Sequence, residues 1–309
     1  MPRFSVLTSL YHSSPYIEKF YERVRACIDT LGGDYEIVFV DDGSPDDGNE
    51  VVLKLIERDP CVRLVELSRN FGHHKAIMIG LEHVHGEFVF MLDSDLEEEP
   101  ELLETFYETM MAENEQGEID VVYGVMEARK GSFLERISGA AFYKVINMFS
   151  DLPIPENAMA ARLMRLPYVK SLLQFQETQL YLGGVMMLAG YNQVPHPTKK
   201  GSKGQTTYTF MRKITLALDA LISYTNKPLT FIAIFGVVIC LMSLALNVSF
   251  AIRFVSGDNP VEGWMWILAS VWLLGGLTIL AIGMVGFYVG RIFIQVKARP
   301  NAIVKRVHN

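Results

Sequence analysis

The sequence predicts an α/β protein built on a doubly wound parallel sheet, followed by two transmembrane helices. Three observations lead to this fold class. Short apolar runs alternate with amphipathic stretches in the N-terminal half, polar clusters follow several of these runs, and two long uncharged stretches occupy the C-terminal third. Helices that cover a parallel sheet produce the first pattern, whereas membrane spans of about 20 apolar residues produce the last.

The N-terminal elements follow from the spacing of apolar residues. Short apolar runs predict strands over residues 4–10, 35–40, 62–67, 86–92 and 119–124. Apolar residues at helical spacing predict helices over residues 15–31, 48–58 and 75–83. Since strand and helix alternate, the sheet is expected to be parallel, with helices on both of its faces.

Polar clusters follow three of these strands. They are Asp41-Asp42, Arg69-Asn70 and Asp93-Ser94-Asp95. Ligands of open α/β sheets bind beyond the carboxyl ends of the strands, which is where all three clusters are expected. The spacing Asp-x-Asp also occurs by chance in acidic loops. At the end of a strand, however, it supplies oxygen ligands for a divalent cation beside a nucleotide diphosphate.

Six sequence blocks together resemble one family. They are Val40-Asp41-Asp42-Gly43-Ser44, Ser68-Arg69-Asn70-Phe71-Gly72, Asp93-Ser94-Asp95-Leu96, Arg162-Leu163-Met164, Gly201-Ser202-Lys203 and Lys227-Pro228-Leu229. The chain is similar to family 2 glycosyltransferases with a GT-A, Rossmann-like fold. The resemblance is to the membrane-anchored polyprenyl-phosphate type, which includes dolichyl-phosphate mannose synthases and bactoprenol glucosyltransferases. It covers most of the chain and implies a glycosyltransferase of the hexosyltransferase type.

The resemblance implies a site for a nucleotide-sugar donor. Residues implied in donor binding are Thr8, Ser9, Tyr11, Asp41, Asp42, Arg69, Asn70, Lys75 and Lys203. Asp93 and Asp95 would bind the diphosphate and its metal ion, with Glu97 as a third ligand where the family usually has Gln. Because these groups are carboxylates, Mg²⁺ or Mn²⁺ is expected rather than Zn²⁺. The adjacent Glu98, Glu99 and Glu101 are interpreted as a solvated helix start.

The acceptor side departs from the family pattern. Ala160 stands where the family has an acidic residue, and Met126 stands where an Arg is frequent. A hydroxyl acceptor needs a general base, but a lipid monophosphate is already largely ionised at neutral pH. A polyprenyl phosphate acceptor is therefore expected, with Arg129 and Arg162 as catalytic cations. Lys130, Lys199, Lys200 and Lys203 are further cations that could bind phosphate.

The C-terminal third predicts a membrane anchor. No residue between Leu229 and Ile252 or between Trp264 and Gly290 is charged, and both runs are long enough to cross a bilayer. The predicted divisions are a catalytic domain (1–205), an amphipathic juxtamembrane segment (206–228), a first span (229–252), a loop (253–263), a second span (264–290) and a basic tail (291–309).

The charges around these spans predict the topology. Positive residues are concentrated after the second span, which places both termini on the cytoplasmic side of a membrane, with a bacterial inner membrane expected. Glycines in the second span permit close helix packing and a homo-oligomer.

Composition excludes other classes of protein. The formal net charge of -7 argues against nucleic-acid binding. Cys27, Cys61 and Cys240 lack the spacing of metal ligands. The adjacent His73 and His74 are interpreted as a helix-start surface pair, because neighbouring positions of a regular element cannot face one site.

Two alternative functions stay open. One is transfer to a hydroxyl of a lipid-linked saccharide or other lipid, and the other is an inactive nucleotide-sugar-binding membrane scaffold.

Overall fold

The computed structural model describes residues 1–112, 117–126, 158–175, 182–198, 263–297 and 299–309, with isolated residues between 234 and 245. Its strands are β1 (Phe4–Leu10), β2 (Tyr35–Asp41), β3 (Val62–Leu67), β4 (Phe88–Met91), β5 (Val121–Met126), β6 (Ala158–Arg165), β7 (Gln193–Thr198) and β8 (Val304–His308). Its helices are α1 (Ile17–Leu31), α2 (Gly48–Arg58), α3 (His73–Glu82), α4 (Leu102–Met111), α5 (Leu166–Leu172), α6 (Leu182–Leu188) and α7 (Gly263–Val296). A short 3₁₀ turn, Ser14–Tyr16, precedes α1.

The strands form one eight-stranded sheet in the order β7-β5-β6-β4-β1-β2-β3-β8. Strands β1 to β4 are parallel and connected by α1, α2 and α3, as the sequence predicts. The sheet is nevertheless mixed, because β6 runs antiparallel between β4 and β5, and β8 runs antiparallel beside β3. The fully parallel sheet predicted from the sequence is therefore wrong in these two strands, while the α/β class is confirmed.

The C-terminal tail forms an edge strand, although the sequence analysis predicts only a basic tail. In β8, Val304 pairs with Leu67 of β3 and His308 pairs with Leu64. Glu66 of β3 fixes the pairing, because its carboxylate lies 3.1 Å from Lys305 Nζ and 2.7 Å from His308 Nε2. The tail thereby covers an edge that would otherwise expose unpaired backbone groups.

Apolar side chains fill both faces of the sheet. Phe4 and Phe39 belong to the core under α1, α2 and α4, whereas Leu7 and Val40 belong to the core under α3, α5 and α6. Because successive strand residues point to opposite faces, the continuous apolar runs supply both layers. Helix α3 approaches closely through Gly80, where a Cβ atom would come within 2.3 Å of Leu7 Cδ1.

Helix α7 is 34 residues long. Within it, Leu277–Val296 has a mean hydropathy of 2.0 over 20 residues, and none of this window is buried in the protein. By length and composition, this stretch can cross a membrane. The helix continues past Gly290, where the sequence prediction ends the second span. The first predicted span (229–252) and the juxtamembrane segment (206–228) lie outside the described residues, apart from isolated helical positions between 234 and 245.

Candidate functional site

The carboxyl ends of the parallel strands collect the polar clusters that the sequence singles out. Strand β2 ends at Asp41, β3 leads into Ser68–Gly72, and β4 leads into Asp93. In the register of the sheet, Leu10 of β1 lies beside Asp41, and Leu7 lies beside Met91 of β4. The pairing places the predicted donor residues along one edge, as expected for an open α/β sheet.

The first acidic pair is buried in the protein. Asp42 is 2% exposed, and its carboxylate accepts hydrogen bonds from the amides of Phe71 at 2.7 Å and Gly72 at 2.9 Å. Burial raises the pKa of Asp42, although both amide donors oppose this effect. Asp42 therefore holds the turn between β3 and α3 against the end of β2.

Asp41 is also bonded within the protein. Its carboxylate accepts hydrogen bonds from Ser44 N and from Asn49 Nδ2, both at 2.8 Å. The adjacent Gly43 has φ 63°, and a Cβ atom there would come within 2.6 Å of the Arg69–Asn70 backbone. Only glycine allows this conformation and approach without strain, so Gly43 brings the two turns together.

The second acidic pair lies in a more open loop. The side chain of Asp93 is 35% exposed, and Asp95 accepts a hydrogen bond from Glu97 N at 3.0 Å. Between them, the buried Ser94 bonds Ser9 O at 3.1 Å and Ser13 Oγ at 2.9 Å. Leu96 adopts φ 60°, which is rare for a residue other than glycine and is concentrated at functional sites.

His73 lies beside this loop; it is the exposed first residue of α3, which agrees with its interpretation as a helix-start surface residue. Its Nδ1 lies 2.8 Å from Ser9 Oγ, and its Nε2 lies 3.6 Å from Asp93 Oδ1. The surrounding protein lowers the pKa of His73, and the charge of Asp42 offsets this only in part, although the side chain is 42% exposed. The position of His73 near the site could have been predicted from the sequence. His73 directly follows the Ser68–Gly72 block, so it begins the helix that starts at the carboxyl edge of the sheet.

Glu98 is also placed differently from the prediction. It is 1% exposed, and its carboxylate accepts hydrogen bonds from Ala160 N at 3.2 Å and Ala161 N at 2.6 Å. The interpretation of Glu98 as part of a solvated helix start is therefore wrong, since α4 begins only at Leu102. Glu98 joins the Asp93–Glu97 loop to β6, beside the position where the family's acidic residue is missing.

Of the cations predicted to bind phosphate, only Arg162 belongs to the described residues. Arg162 lies opposite Met91, two residues before Asp93, but it is 7% exposed. Its guanidinium donates hydrogen bonds to Met159 O at 3.3 Å and Ala160 O at 3.4 Å. Its catalytic role stays a prediction. Four predicted cations, Arg129, Lys130, Lys199 and Lys200, lie outside the described residues, as does Lys203.

The remaining predicted donor residues differ in access to solvent. Thr8 is fully buried, and its hydroxyl has no hydrogen-bond partner among the described residues. Tyr11 is 50% exposed and stacks edge-on against His12. Arg69 lies over the Phe71 ring, while Asn70 is exposed and Lys75 lies in the first turn of α3. The aromatic face of Tyr11 is therefore accessible to a nucleotide base.

The chemistry of this loop fits a hard divalent cation. Asp93, Asp95 and Glu97 offer carboxylate oxygens, the ligand type preferred by Mg²⁺ and Mn²⁺. In the part of the chain that the structure describes, no three His, Cys, Asp or Glu side chains are gathered closely enough to hold a metal ion. The three-carboxylate ligand set therefore stays a prediction.

Comparison with known proteins assigns the family. The model of glycosyl transferase family 2 matches residues 5–173. A "Putative glycosyltransferases" protein of Mycobacterium tuberculosis is 43% identical over 306 residues, which cover 99% of this chain and 88% of that protein. The chain belongs to glycosyl transferase family 2 and is a glycosyltransferase.

Two further relatives carry more specific names. The SfII prophage-derived bactoprenol glucosyl transferase of Shigella flexneri is 29% identical, covering 99% of this chain and 98% of the relative. The undecaprenyl-phosphate 4-deoxy-4-formamido-L-arabinose transferase of Klebsiella pneumoniae is also 29% identical, covering 99% of this chain and 93% of the relative. The similarity to both proteins extends through the C-terminal third of the chain.

Proposed function

We propose that the protein transfers a sugar from a nucleotide diphosphate-sugar to a polyprenyl phosphate. The reaction is metal-dependent, inverts the anomeric centre and takes place at the cytoplasmic face of a bacterial inner membrane. The observation that carries the proposal is the similarity over nearly the whole chain to relatives named for transfer involving bactoprenol or undecaprenyl phosphate. The accessible Asp93–Glu97 loop supports it, because this loop offers carboxylates to a donor diphosphate.

The acceptor phosphate supplies the nucleophile. One of its oxygens forms a bond to the anomeric carbon while the bond between that carbon and the nucleoside diphosphate breaks. The leaving diphosphate keeps the electron pair, and attack from the opposite side inverts the centre. A phosphate monoester with a second pKa of about 6 is mostly ionised at neutral pH, so no side chain has to remove a proton. The absence of an acid at Ala160 is compatible with this acceptor.

Protein groups hold the donor in position. Asp93, Asp95 and Glu97 would bind a divalent ion, which stabilises the negative charge that develops on the leaving diphosphate. The bond from Ser94 to the end of β1 fixes the loop between these carboxylates. Pre-positioned groups of this kind reduce the entropic cost of bringing the donor and the acceptor together.

The position of β8 supports a topology with two spans. Strand β7 ends at the carboxyl edge with Thr198, and β8 returns to the same sheet after α7. The catalytic domain and the tail therefore lie on one side of a membrane crossed by α7. We infer that the chain crosses the membrane an even number of times, with residues 229–252 as the first span and α7 as the second. Nucleotide sugars occur in the cytoplasm, the side that the basic tail favours.

Transfer of radiolabel to lipid tests the proposal. The full-length protein in detergent is incubated with undecaprenyl phosphate, Mn²⁺ and a panel of radiolabelled nucleotide sugars, and label in the organic phase is counted. We expect one donor to label a lipid product that mild acid hydrolyses. The label should disappear with EDTA and return with Mn²⁺ or Mg²⁺.

Two other outcomes would contradict specific parts of the proposal. Label that enters only a lipid-linked saccharide, and not undecaprenyl phosphate, would show a hydroxyl acceptor. Nucleotide binding without transfer from any donor would favour the scaffold.

A further inference from the structure

The imidazole of His73 lies against the carboxylate of Asp93. Its Nε2 lies 3.6 Å from Asp93 Oδ1. This distance exceeds that of a hydrogen bond, so the nitrogen and the oxygen face each other without one. Two neighbouring ligands that each lie about 2.1 Å from a shared cation are about 3.0 to 3.4 Å apart, so a shift of a few tenths of an ångström would bring this pair into that range.

The other ring nitrogen of His73 is fixed by the protein. Nδ1 lies 2.8 Å from Ser9 Oγ, at the carboxyl end of β1. Histidines that bind metal ions almost always donate the second ring N–H to an oxygen acceptor, which sets the tautomer and the ring orientation. When Nδ1–H donates to Ser9 Oγ, the lone pair of Nε2 is directed away from Ser9 and is available to a metal ion.

The backbone on both sides of this contact is held in place. Asp42 binds the amides of Phe71 and Gly72, directly before His73. Ser94 binds Ser9 O, which fixes the loop that follows Asp93 to the strand that carries Ser9. The two metal-binding atoms thus belong to segments that are connected through β1, and little rearrangement is needed for them to bind one ion.

We propose that His73 Nε2 is a ligand of the catalytic divalent ion, together with Asp93, and that Ser9 orients its ring. The ligand set is then mixed, with a nitrogen added to the carboxylates of the Asp-x-Asp loop. Mg²⁺ is a hard cation that prefers oxygen ligands, whereas a transition metal such as Mn²⁺ accepts an imidazole nitrogen more readily, so the site should prefer Mn²⁺ over Mg²⁺. This inference rests on the metal-dependent function proposed above.

Electron spin-echo spectroscopy of bound Mn²⁺ tests the ligand directly. The full-length protein in detergent, with histidine labelled by ¹⁵N, is loaded with Mn²⁺ in the presence of UDP or GDP. We expect a ¹⁵N coupling typical of directly bound imidazole. His73→Asn should abolish it, because Asn keeps a nitrogen near the position of Nδ1 but has none at that of Nε2. His83→Asn, at the opposite end of α3, should leave the coupling unchanged.

Ser9→Ala provides a second variant. It should keep the coupling but weaken Mn²⁺ binding by about 10- to 100-fold, the usual effect of removing an orienting partner. His73→Gln, which places an amide near the position of Nε2, should recover part of the Mn²⁺ affinity that His73→Asn loses.

The outcomes separate this inference from the proposed function. Bound Mn²⁺ that shows no ¹⁵N coupling, or a coupling that persists in His73→Asn, would overturn His73 as a ligand while leaving metal dependence intact. A protein that transfers sugar but binds no Mn²⁺ would overturn both the metal-dependent mechanism and the ligand assignment.

Discussion

The two acidic turns at the carboxyl edge contain the same residue type but are bonded differently. The four carboxylate oxygens of Asp41 and Asp42 each accept a hydrogen bond from the protein, and both residues are nearly fully buried. The side chain of Asp93, by contrast, is 35% exposed, and one of its oxygens lies 3.6 Å from the imidazole of His73. The comparison teaches that one acidic pair shapes the edge while the other remains accessible to a ligand.

The largest effect is expected at the second turn. Asp95→Ala should lower kcat by about 10³-fold, since a group that stabilises transition-state charge is typically worth about 10²–10³ and metal binding is lost as well. Initial rates at saturating Mn²⁺, with the melting temperature measured in parallel, check this. Unchanged thermal stability is part of the expectation, and near-normal turnover would contradict the metal-binding role.

The first turn should show the opposite behaviour. Asp42→Ala leaves two buried amides without their acceptor, and each is expected to cost about 1–3 kcal/mol of unfolding free energy. Denaturant unfolding should therefore show a clearly lower midpoint. Asp34→Ala, an exposed aspartate at the amino edge of the sheet, is the control. If Asp42→Ala unfolded normally but no longer bound nucleotide, Asp42 would belong with the ligand-binding pair.

Glu98 offers an intermediate case. Glu98→Gln replaces one acceptor oxygen by an NH₂ group facing a backbone N–H, which should cost about 1–3 kcal/mol of unfolding free energy. Because Glu98 joins the Asp93–Glu97 loop to β6, we also expect weaker Mn²⁺ binding by calorimetry. The exposed Glu99, changed to Gln, should affect neither quantity. Equal behaviour of the two variants would exclude a positioning role for Glu98.

The smallest effect concerns the tail. Burial disfavours ionisation of Glu66, but hydrogen bonds from His308 and Lys305 outweigh it, so the pKa of Glu66 is lowered in the folded state. The stability it adds is present above the unfolded-state pKa of about 4.3 and is lost as the pH falls through the folded-state pKa. The hydrogen-exchange protection factors of the β8 amides, which are corrected for the intrinsic effect of pH on exchange, should therefore fall on acidification below about pH 4.

A matched variant tests the assignment to Glu66. Glu66→Gln should remove most of this pH dependence and weaken β8 at neutral pH by about 0.5–1.5 kcal/mol, the usual net contribution of a hydrogen bond. An unchanged pH dependence would assign it to another group.

The elements that sequence predicted well are those with local signals. Strand β3 and helix α2 have the predicted bounds, since apolar spacing and flanking turn residues define both. The edge that carries the site was also predictable, because parallel topology brings the ends of β2 and β4 together. Strand β1, which borders this edge, also has the predicted bounds, and helix α3 starts two residues earlier and ends one residue earlier than predicted.

What could not be predicted depends on contacts distant in sequence. The short basic stretch of β8 has no apolar alternation, and only its pairing with β3, more than 200 residues earlier, makes it a strand. The burial of Glu98 likewise follows from the antiparallel insertion of β6. The contact of His73 with Asp93 was not predicted, because the rule about neighbouring positions excludes a shared site for two residues but does not exclude one of them.

The placement of β8 also bears on how the protein is made. During synthesis, the ribosome releases β1, β2 and β3 well before β8, and the apolar helix α7 comes between them. The edge of β3 therefore stays unpaired until α7 and the tail have been synthesised. Closure of the catalytic sheet is thus a late event in biogenesis, and a chain that lacks β8 leaves the aggregation-prone edge of β3 exposed.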